Sequence, residues 1–272
     1  MPTGEEKVKM AKLKTGIILF LFLLVVSLLF MGRGEIDMVH YLEGPSLKHV
    51  FGFDSLGRDL FSRSCYGLVI SLSVATVSCL MSLVIASVAL LCMRRAGIVR
   101  TVTVSLMKAV RTVPSVILAL FLLSFSGNGA VKLVLVLSLG GGCTLSLLLE
   151  PLLKSLEREE YITAERSLGI KEGRIFFRHI LPSLSGVIRE HLSSSFITSV
   201  LTESSLSFLG LGFDPSVPTL GRILSEGRAF AVTYPHVVVY PALMLILLGL
   251  SVLLFQKGFS ELDSSFHRTH QR

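Results

Sequence analysis

Tryptophan is absent from this chain, charged side chains are scarce and no two cysteines stand at ligand spacing. Asp, Glu, Lys and Arg make up 17% of the 272 residues against 51% hydrophobic ones, with a mean hydropathy of +0.71, far above what a water-facing domain carries. A soluble fold is thereby excluded, and the chain belongs in a bilayer. Without tryptophan, anchoring at the membrane interface falls to tyrosines such as Tyr66, Tyr234 and Tyr240 and to snorkelling lysines. Cys65, Cys79, Cys92 and Cys143 lie singly in or at the ends of apolar runs. With no CxxC or Cys/His cluster to supply tetrahedral ligands, they read as small packing residues. A phosphate-cradling GxxxxGK[ST] loop is missing too, because Gly140-Gly141-Gly142 sits in an apolar run with no following lysine and marks a flexible or closely packed point of a span. Neither a Ser/His/Asp nor a zinc-protease arrangement occurs. The expectation is a membrane protein with no enzymatic site and no metal.

What is present is a series of apolar runs near the 20 residues a membrane crossing needs. Thr15 to Met31, Cys65 to Met93, Val99 to Phe125, Val131 to Leu153, Leu184 to Leu206 and His236 to Phe255 predict six spans. The net charge of +7 is dispersed among the loops, which argues for membrane topology over nucleic-acid binding. Lys7, Lys9, Lys12 and Lys14 precede the first run, and Met31-Gly32-Arg33-Gly34-Glu35 after it is a poor cleavage site, so an uncleaved anchor is expected. Arg94, Arg95 and Arg100, then Lys154 to Arg178, then Lys257, Arg268 and Arg272 fall on one side of the membrane; Gly32 to Ser64 and Ser207 to Pro235 fall on the other with a more mixed charge. The lysine and arginine bias predicts both termini in the cytoplasm. The layout is then a tail over 1–14, a first span over 15–31, an external segment over 32–64, a five-helix core over 65–255 that contains a cytoplasmic loop over 154–182, and a tail over 256–272.

That loop carries the most information. Ile162, Glu165 and Leu168 fit a short amphipathic helix, Gly169 supplies the left-handed residue at which helices stop, and a second short helix is expected to begin near Lys171. Ile175, Phe176, Phe177, Ile180 and Leu181 give it an apolar side to rest on the bundle, Arg174 and Arg178 face water or head groups, and Pro182 suits the first turn of the next span. A generic charged connector would need no such order. The sequence of Ala164, Gly169 and Ile180-Leu181-Pro182 resembles the cytoplasmic "EAA" loop of bacterial binding-protein-dependent ABC importers. Val200 to Arg228 (VLTESSLSFLGLGFDPSVPTLGRILSEGR) is similar to the region leaving the fifth span in permeases of the dipeptide, oligopeptide and nickel family, and His49 to Gly67 (HVFGFDSLGRDLFSRSCYG) to the entry of the second span in one partner of the permease pair.

The resemblance covers most of the chain from His49 onward. It implies an all-α, polytopic helix bundle of type I ABC importer architecture in a bacterial inner membrane, forming half of a pathway for short peptides. Nickel or another small solute is the alternative within the family. It further implies no cofactor on this chain, ATP and Mg on two separate ATPase subunits, a second homologous permease subunit and an extracytoplasmic solute-binding protein. Tyr161, Ala164, Glu165, Leu168, Gly169, Arg178 and Pro182 would form the surface that meets the ATPase. The chain departs from the family pattern at Thr163 and Glu165, where glutamate and alanine are usual, at Lys108, where an acid is common, and at Leu147 and Glu150, where arginines are.

Two further groups stand out. Asp54, Gly57, Arg58 and Asp59 form a compact polar turn able to cap the bundle or touch a docking protein, and Gly210 and Gly212 let the chain leave the fifth span abruptly, with Pro215 and Pro218 stiffening the outer loop beyond it. Lys108, Arg111 and Glu203 are ionisable residues within spans, where a charge needs a partner or a cavity; snorkelling is the simpler role for the first two and an architectural role for the third. A scaffold that uses the loop only to recruit a cytoplasmic partner, and a secondary carrier, which would call for an inverted repeat that is not visible here, are the competing classes.

Overall fold

The computed structural model describes residues 4–32, 34–94, 97–124 and 129–270. Arg33, Arg95, Phe125 and Arg272, and the side chains of Lys7, Lys9 and Arg268, lie outside the described residues. Within the described residues ten α-helices follow one another: α1 (Gly4–Phe30), α2 (Leu60–Met93), α3 (Ile98–Thr112), α4 (Ser115–Leu123), α5 (Gly129–Glu157), α6 (Glu160–Ser167), α7 (Glu172–Ile175), α8 (Leu181–Phe208), α9 (Leu220–Gly227) and α10 (His236–His270). Among the described residues there is no strand, only an isolated bridge between Phe53 and Asp59.

Stretches of α1, α2, α5 and α10, namely Met10–Phe30, Leu60–Met93, Gly129–Glu157 and His236–Gly258, are each long and apolar enough to cross a membrane. The two other expected spans differ from them, for physical reasons. The run from Val99 is no single helix: Pro114 cannot donate to the ladder, Val113 before it is extended (φ −76°, ψ 122°), as a residue preceding proline prefers, and the helix restarts at Ser115 as α4. The fifth run is a continuous helix of 28 residues, but Arg189, Glu190, His191, Glu203 and its many serines lower its hydropathy below that of the other four.

Polar and small residues hold the centre. α2 runs parallel to α5 because α3 and α4 return the chain between them, and Ser82 Oγ donates to Ser138 O across that seam at 3.1 Å. α8 packs antiparallel to α2, with Ser71 meeting Glu203 at one level and Cys79 Sγ 3.7 Å from Leu192 O at another. Close backbone approach through serine and glycine is how helices associate where no hydrophobic effect separates helix from lipid. α1 lies antiparallel along α10, Leu13 facing Gly258 and Gly16 facing Ser251 to Phe255. The outward faces are apolar and exposed, among them Ile18, Phe22, Leu29, Leu80, Leu91 and Ile246, which suits lipid and not water. All four cysteines are free, and Cys65 and Cys143 are fully buried in this packing.

At the end of the bundle where α2 begins, α9 folds back onto α8. Gly221 sits so close that a methyl group there would overlap the Ser204 backbone. The site has no flexible neighbour to yield, since the obstacle is main chain. We expect Gly221→Ala to cost about 1–3 kcal/mol and to lower the unfolding temperature in detergent. With Cys79 and Cys92 replaced, a thiol-reactive dye that is silent until Cys65 and Cys143 become exposed reads that transition; an unchanged midpoint would contradict the close contact.

Candidate functional site

The helices ending at the other end of the bundle carry the α6–α7 loop. Glu157 closes α5, and eight residues from Glu160 form α6. Its end is a complete left-handed stop: Gly169 has φ +76°, its N–H donates to Arg166 O (3.0 Å) and that of Ile170 to Glu165 O (3.1 Å), satisfying carbonyls the helix leaves open. α7 spans only four residues, and Phe176–Ile180 then widens into a π turn that passes directly into α8, with Pro182 in its first turn.

The underside of this loop is apolar and locked. Ile162, Ile175 and Ile180 are essentially without exposure and pack with Ala86 of α2, Leu149 and Leu153 of α5 and Leu184 of α8. A polar brace closes the flank. Arg166 donates to both carboxylate oxygens of Glu172 (2.7 and 3.2 Å) and to Glu157 O (3.2 Å), while Arg94 at the end of α2 lies 2.9 Å from Glu157 Oε1 and 3.6 Å from Glu172 Oε2. His179 Nε2 is 2.9 Å from Glu165 Oε1, with the Tyr161 ring edge-on to the imidazole. The hydrogen bond from Arg166, aided by the charges of Arg166 and Arg94, holds the Glu172 carboxyl below its usual range and raises Arg166 in turn.

The outer surface of the loop is open. Tyr161, Ala164, Gly169, Arg178 and Pro182 are exposed, Leu168 is 79% exposed, and nothing lies within 4 Å of a Cβ placed on Gly169. Glu165 is half-buried in its contact with His179. The expectation that Phe177 rests on the bundle is wrong: it is 71% exposed, because the π turn places Phe176 inward and its neighbour outward. Phe177 therefore joins Leu168 on the free surface, a residue that pattern reading assigned to the wrong side.

At the opposite end, the turn before α2 forms a five-residue charge cluster. Asp54 Oδ1 accepts from the Leu56 and Arg58 amides (2.8 and 3.0 Å), its Oδ2 from Arg58 Nε (2.8 Å) and from Arg63. Glu226 of α9 accepts from Arg58 (3.0 Å), Arg63 (3.1 Å) and Arg222 (3.2 Å). Arg63 is 2% exposed. The sequence pointed to Asp54 and Arg58; Arg63 and Glu226 were missed, and only Arg63, a charge in the first turn of an apolar helix, offered a local signal. Asp59 stands apart as the N-cap of α2, accepting from Ser62 N (2.7 Å) and meeting His49 Nδ1 (2.9 Å). Gly57 (φ +64°) faces the Asp37 backbone, Gly210 (φ +79°) ends α8 by the same kind of stop as Gly169, and Gly212 (φ +121°) lies against Leu133.

The three ionisable residues of the spans separate. Glu203 is fully buried and accepts hydrogen bonds from Ser71 (2.6 Å), Ser207 (2.8 Å) and Ser204 (3.3 Å), an arrangement that ties α8 to α2. Lys108 is exposed on α3, whereas Arg111 reaches the rim of a cleft beside Pro114. Glu150, a departure from the family pattern, pairs with Arg100 of α3 (2.8 Å) and with Lys154, so it stitches α3 to α5.

With this geometry in view, the comparisons are consistent with one another. The family model described as "binding-protein-dependent transport system inner membrane component" matches residues 78–261. The glutathione transport system permease protein GsiD of Pectobacterium atrosepticum is 33% identical over 80% of this chain and 73% of its own length. Among solved structures, the MetNI methionine ABC transporter in inward-facing conformations superposes with a TM-score of 0.56 at 19% identity, covering 72% of this chain and 93% of that one. The crystal structure of an amino acid ABC transporter with histidines gives 0.57 at 15%, covering 73% and 93%. At those identities the two structures speak for the fold.

Two outcomes are expected from the charged groups. Arg63→Met leaves a carboxylate buried beside too few donors, and we expect it to cost about 3–5 kcal/mol, with Arg63→Met/Asp54→Asn costing less than the single change; equal losses in thermal unfolding would refute the pairing. Because the Glu172 carboxyl is depressed, its pairing with Arg166 stabilises the loop at neutral pH and is lost as pH falls through that lowered value. Amide protection at residues 170–174, taken relative to the intrinsic exchange rate at each pH, should fall on acidification in the parent protein, and Glu172→Gln should show the lower protection already at neutral pH.

Proposed function

The chain belongs to the family of binding-protein-dependent transport system inner membrane components, and from that premise we propose that its α6–α7 loop docks on a separate ATPase and that the solute it conducts is a short peptide. It is a multi-pass ABC importer permease subunit, a transport component without a chemical step of its own. One observation carries the docking reading: Ala164, Leu168, Gly169, Phe177 and Arg178 form an open, partly apolar surface on an element whose other face is locked to α2, α5 and α8. Exposed apolar side chains on a braced support suit a protein partner, and the small residues Ala164 and Gly169 leave room for its groove.

In this reading ATP and Mg are held by two ATPase subunits and none by this chain. Their closure drives the loop, and because the loop passes into α8 through a continuous helical turn and is joined to α5 across only Arg158 and Glu159, the loop and the two helices move together, exchanging outward for inward access of a path shared with a second permease subunit. The loop and both chain ends then lie in the cytoplasm. The Asp54 to Glu226 cluster fastens the external surface on which a solute-binding protein would settle. The peptide assignment draws on the glutathione permease relative, glutathione being a tripeptide; uptake of nickel or another small solute is the competing outcome within the family.

The test is Ala164→Cys and Gly169→Cys, each in a background with the four native cysteines replaced, cross-linked to the co-purifying ATPase with and without ATP. A cross-link whose yield changes with nucleotide is the expected result. An intact complex that gives none at either position would remove the docking role and favour a scaffold.

A further inference from the structure

Beside the break between α3 and α4 the chain holds a cleft of about 390 Å³ bounded by α5 and α8, within the range of roughly 300–1,000 Å³ typical of small-molecule sites. Its lining is unusual for a membrane helix bundle. Thr144, Ser194, Ser195, Thr198, Ser199 and Thr202 bring six hydroxyls to it, Arg111 stands at its edge, and among the described residues none of the lining is a carboxylate or a cysteine. His191 is there as well, but its Nε2 lies 3.0 Å from Gly141 O; a carbonyl only accepts, so that nitrogen carries the proton. Thr144 and Thr198 donate to Gly140 O and Ser194 O (both 2.9 Å), which leaves their lone pairs available.

The backbone points the same way. Pro114 interrupts the ladder, so the last carbonyls of α3 and the first amides of α4 lack intrahelical partners. At membrane depth such groups are tolerated where they meet water or protein and not lipid. Gly140 adds a second sign: among the three consecutive glycines, Gly141 and Gly142 press on Ser82, Ser195 and Ile85, whereas nothing lies within 4 Å of a Cβ on Gly140. Helix packing accounts for two of the glycines, and the open side of the third belongs to the cleft.

We infer that this cleft is where the chain touches its solute, and that the solute is a small molecule with a carboxylate and hydrogen-bonding amides, not a bare divalent cation. Arg111 pairs with the carboxylate, and the hydroxyl rows of α5 and α8 exchange hydrogen bonds with the amides. A nickel or zinc ion would find one free imidazole nitrogen at most and no anionic oxygen or thiolate, short of what such ions require. The inference rests on the permease reading and adds the residues and the solute chemistry to it.

The test uses the complete transporter, purified through this chain and reconstituted in liposomes. Gly140→Leu places a side chain on the open side of the cleft, its Cβ meeting no atom within 4 Å, so uptake of labelled dialanine or glutathione should fall about tenfold or more while ATP hydrolysis and subunit composition persist. Equilibrium dialysis of the same complex without its solute-binding protein then isolates the cleft. Arg111→Gln should weaken dialanine binding about tenfold, the scale of one charge-assisted hydrogen bond, leave the C-terminal amide of dialanine unaffected, and be rescued in part by Arg111→Lys. Full uptake by Gly140→Leu, equal loss of both ligands in Arg111→Gln, or preferential binding of nickel chloride would overturn the inference. An unsubstituted complex without ATP-driven uptake would instead sink the permease reading beneath it, a result distinct from the others.

Discussion

Hydrocarbon does not solvate a peptide group or a charge, and the rest of this structure depends on that constraint. Every backbone polar group at membrane depth has to be answered within the chain or face a water-filled space. Glu203 is answered by three serines, and most serines of the spans return their hydroxyl hydrogen to the carbonyl one turn back, as Ser73, Thr76 and Ser205 do. Among the described residues the apolar runs are helical, and the abrupt interruption at Pro114 coincides with the hydroxyl-lined cleft. Charges that cannot be answered locally are displaced to the ends, and there they become the fasteners of the loops.

Those two ends are joined by one rigid element. α2 has 34 residues, about 50 Å at the rise of an α-helix, with Arg63 of the Asp54 to Glu226 cluster in its first turn and Arg94 of the loop brace just past its last. The two fasteners differ in kind. Arg63 and Asp54 are buried, so their pairing specifies one geometry and tolerates no missing partner. The Arg166 to Glu172 pair is exposed and screened, and holds the loop only in addition to Ile162, Ile175 and Ile180 beneath it. A loop seated by packing and trimmed by surface charge keeps its shape and can still adapt to a partner.

How much of this could be read beforehand depends on the range of the interaction. Local chemistry was legible: Gly169 as a helix stop, Pro182 at the start of α8, a helix beginning after Lys171, and the Asp54 to Arg58 contact are all decided within a few residues. Hydropathy found the apolar runs but treated Val99 to Phe125 as continuous, since an average over the window dilutes the single proline that divides it. Phe177 was misplaced because a π turn shifts the phase of the helix, so a 3.6-residue pattern puts the ring on the wrong face. Glu226 was invisible, being 163 positions from Arg63 and joined to it only through the tertiary fold. The solute cleft escaped for a related reason. Its serines and threonines are individually ordinary in a helix, and only the packing of α8 against α5 and the break at Pro114 gathers them.

The loop and the cleft are two ends of the same pair of levers. α5 leads into the loop and contributes Gly140 and Thr144 to the cleft; α8 leaves the loop through the π turn and contributes His191, Ser195 and Ser199. One contact between the two helices lies where Gly141 meets Ser195 and its carbonyl receives His191, with Ser82 of α2 alongside. Small residues at such a contact permit sliding with little change in packing, while a single hydrogen bond keeps the register. In the proposed coupling a displacement imposed at α6 and α7 reaches the hydroxyl rows through these two helices, α5 carrying Pro151 and the three glycines along its length. The break at Pro114 lies on the third wall, in α3 and α4, outside both levers, where the chain can yield without uncoupling the loop from the cleft.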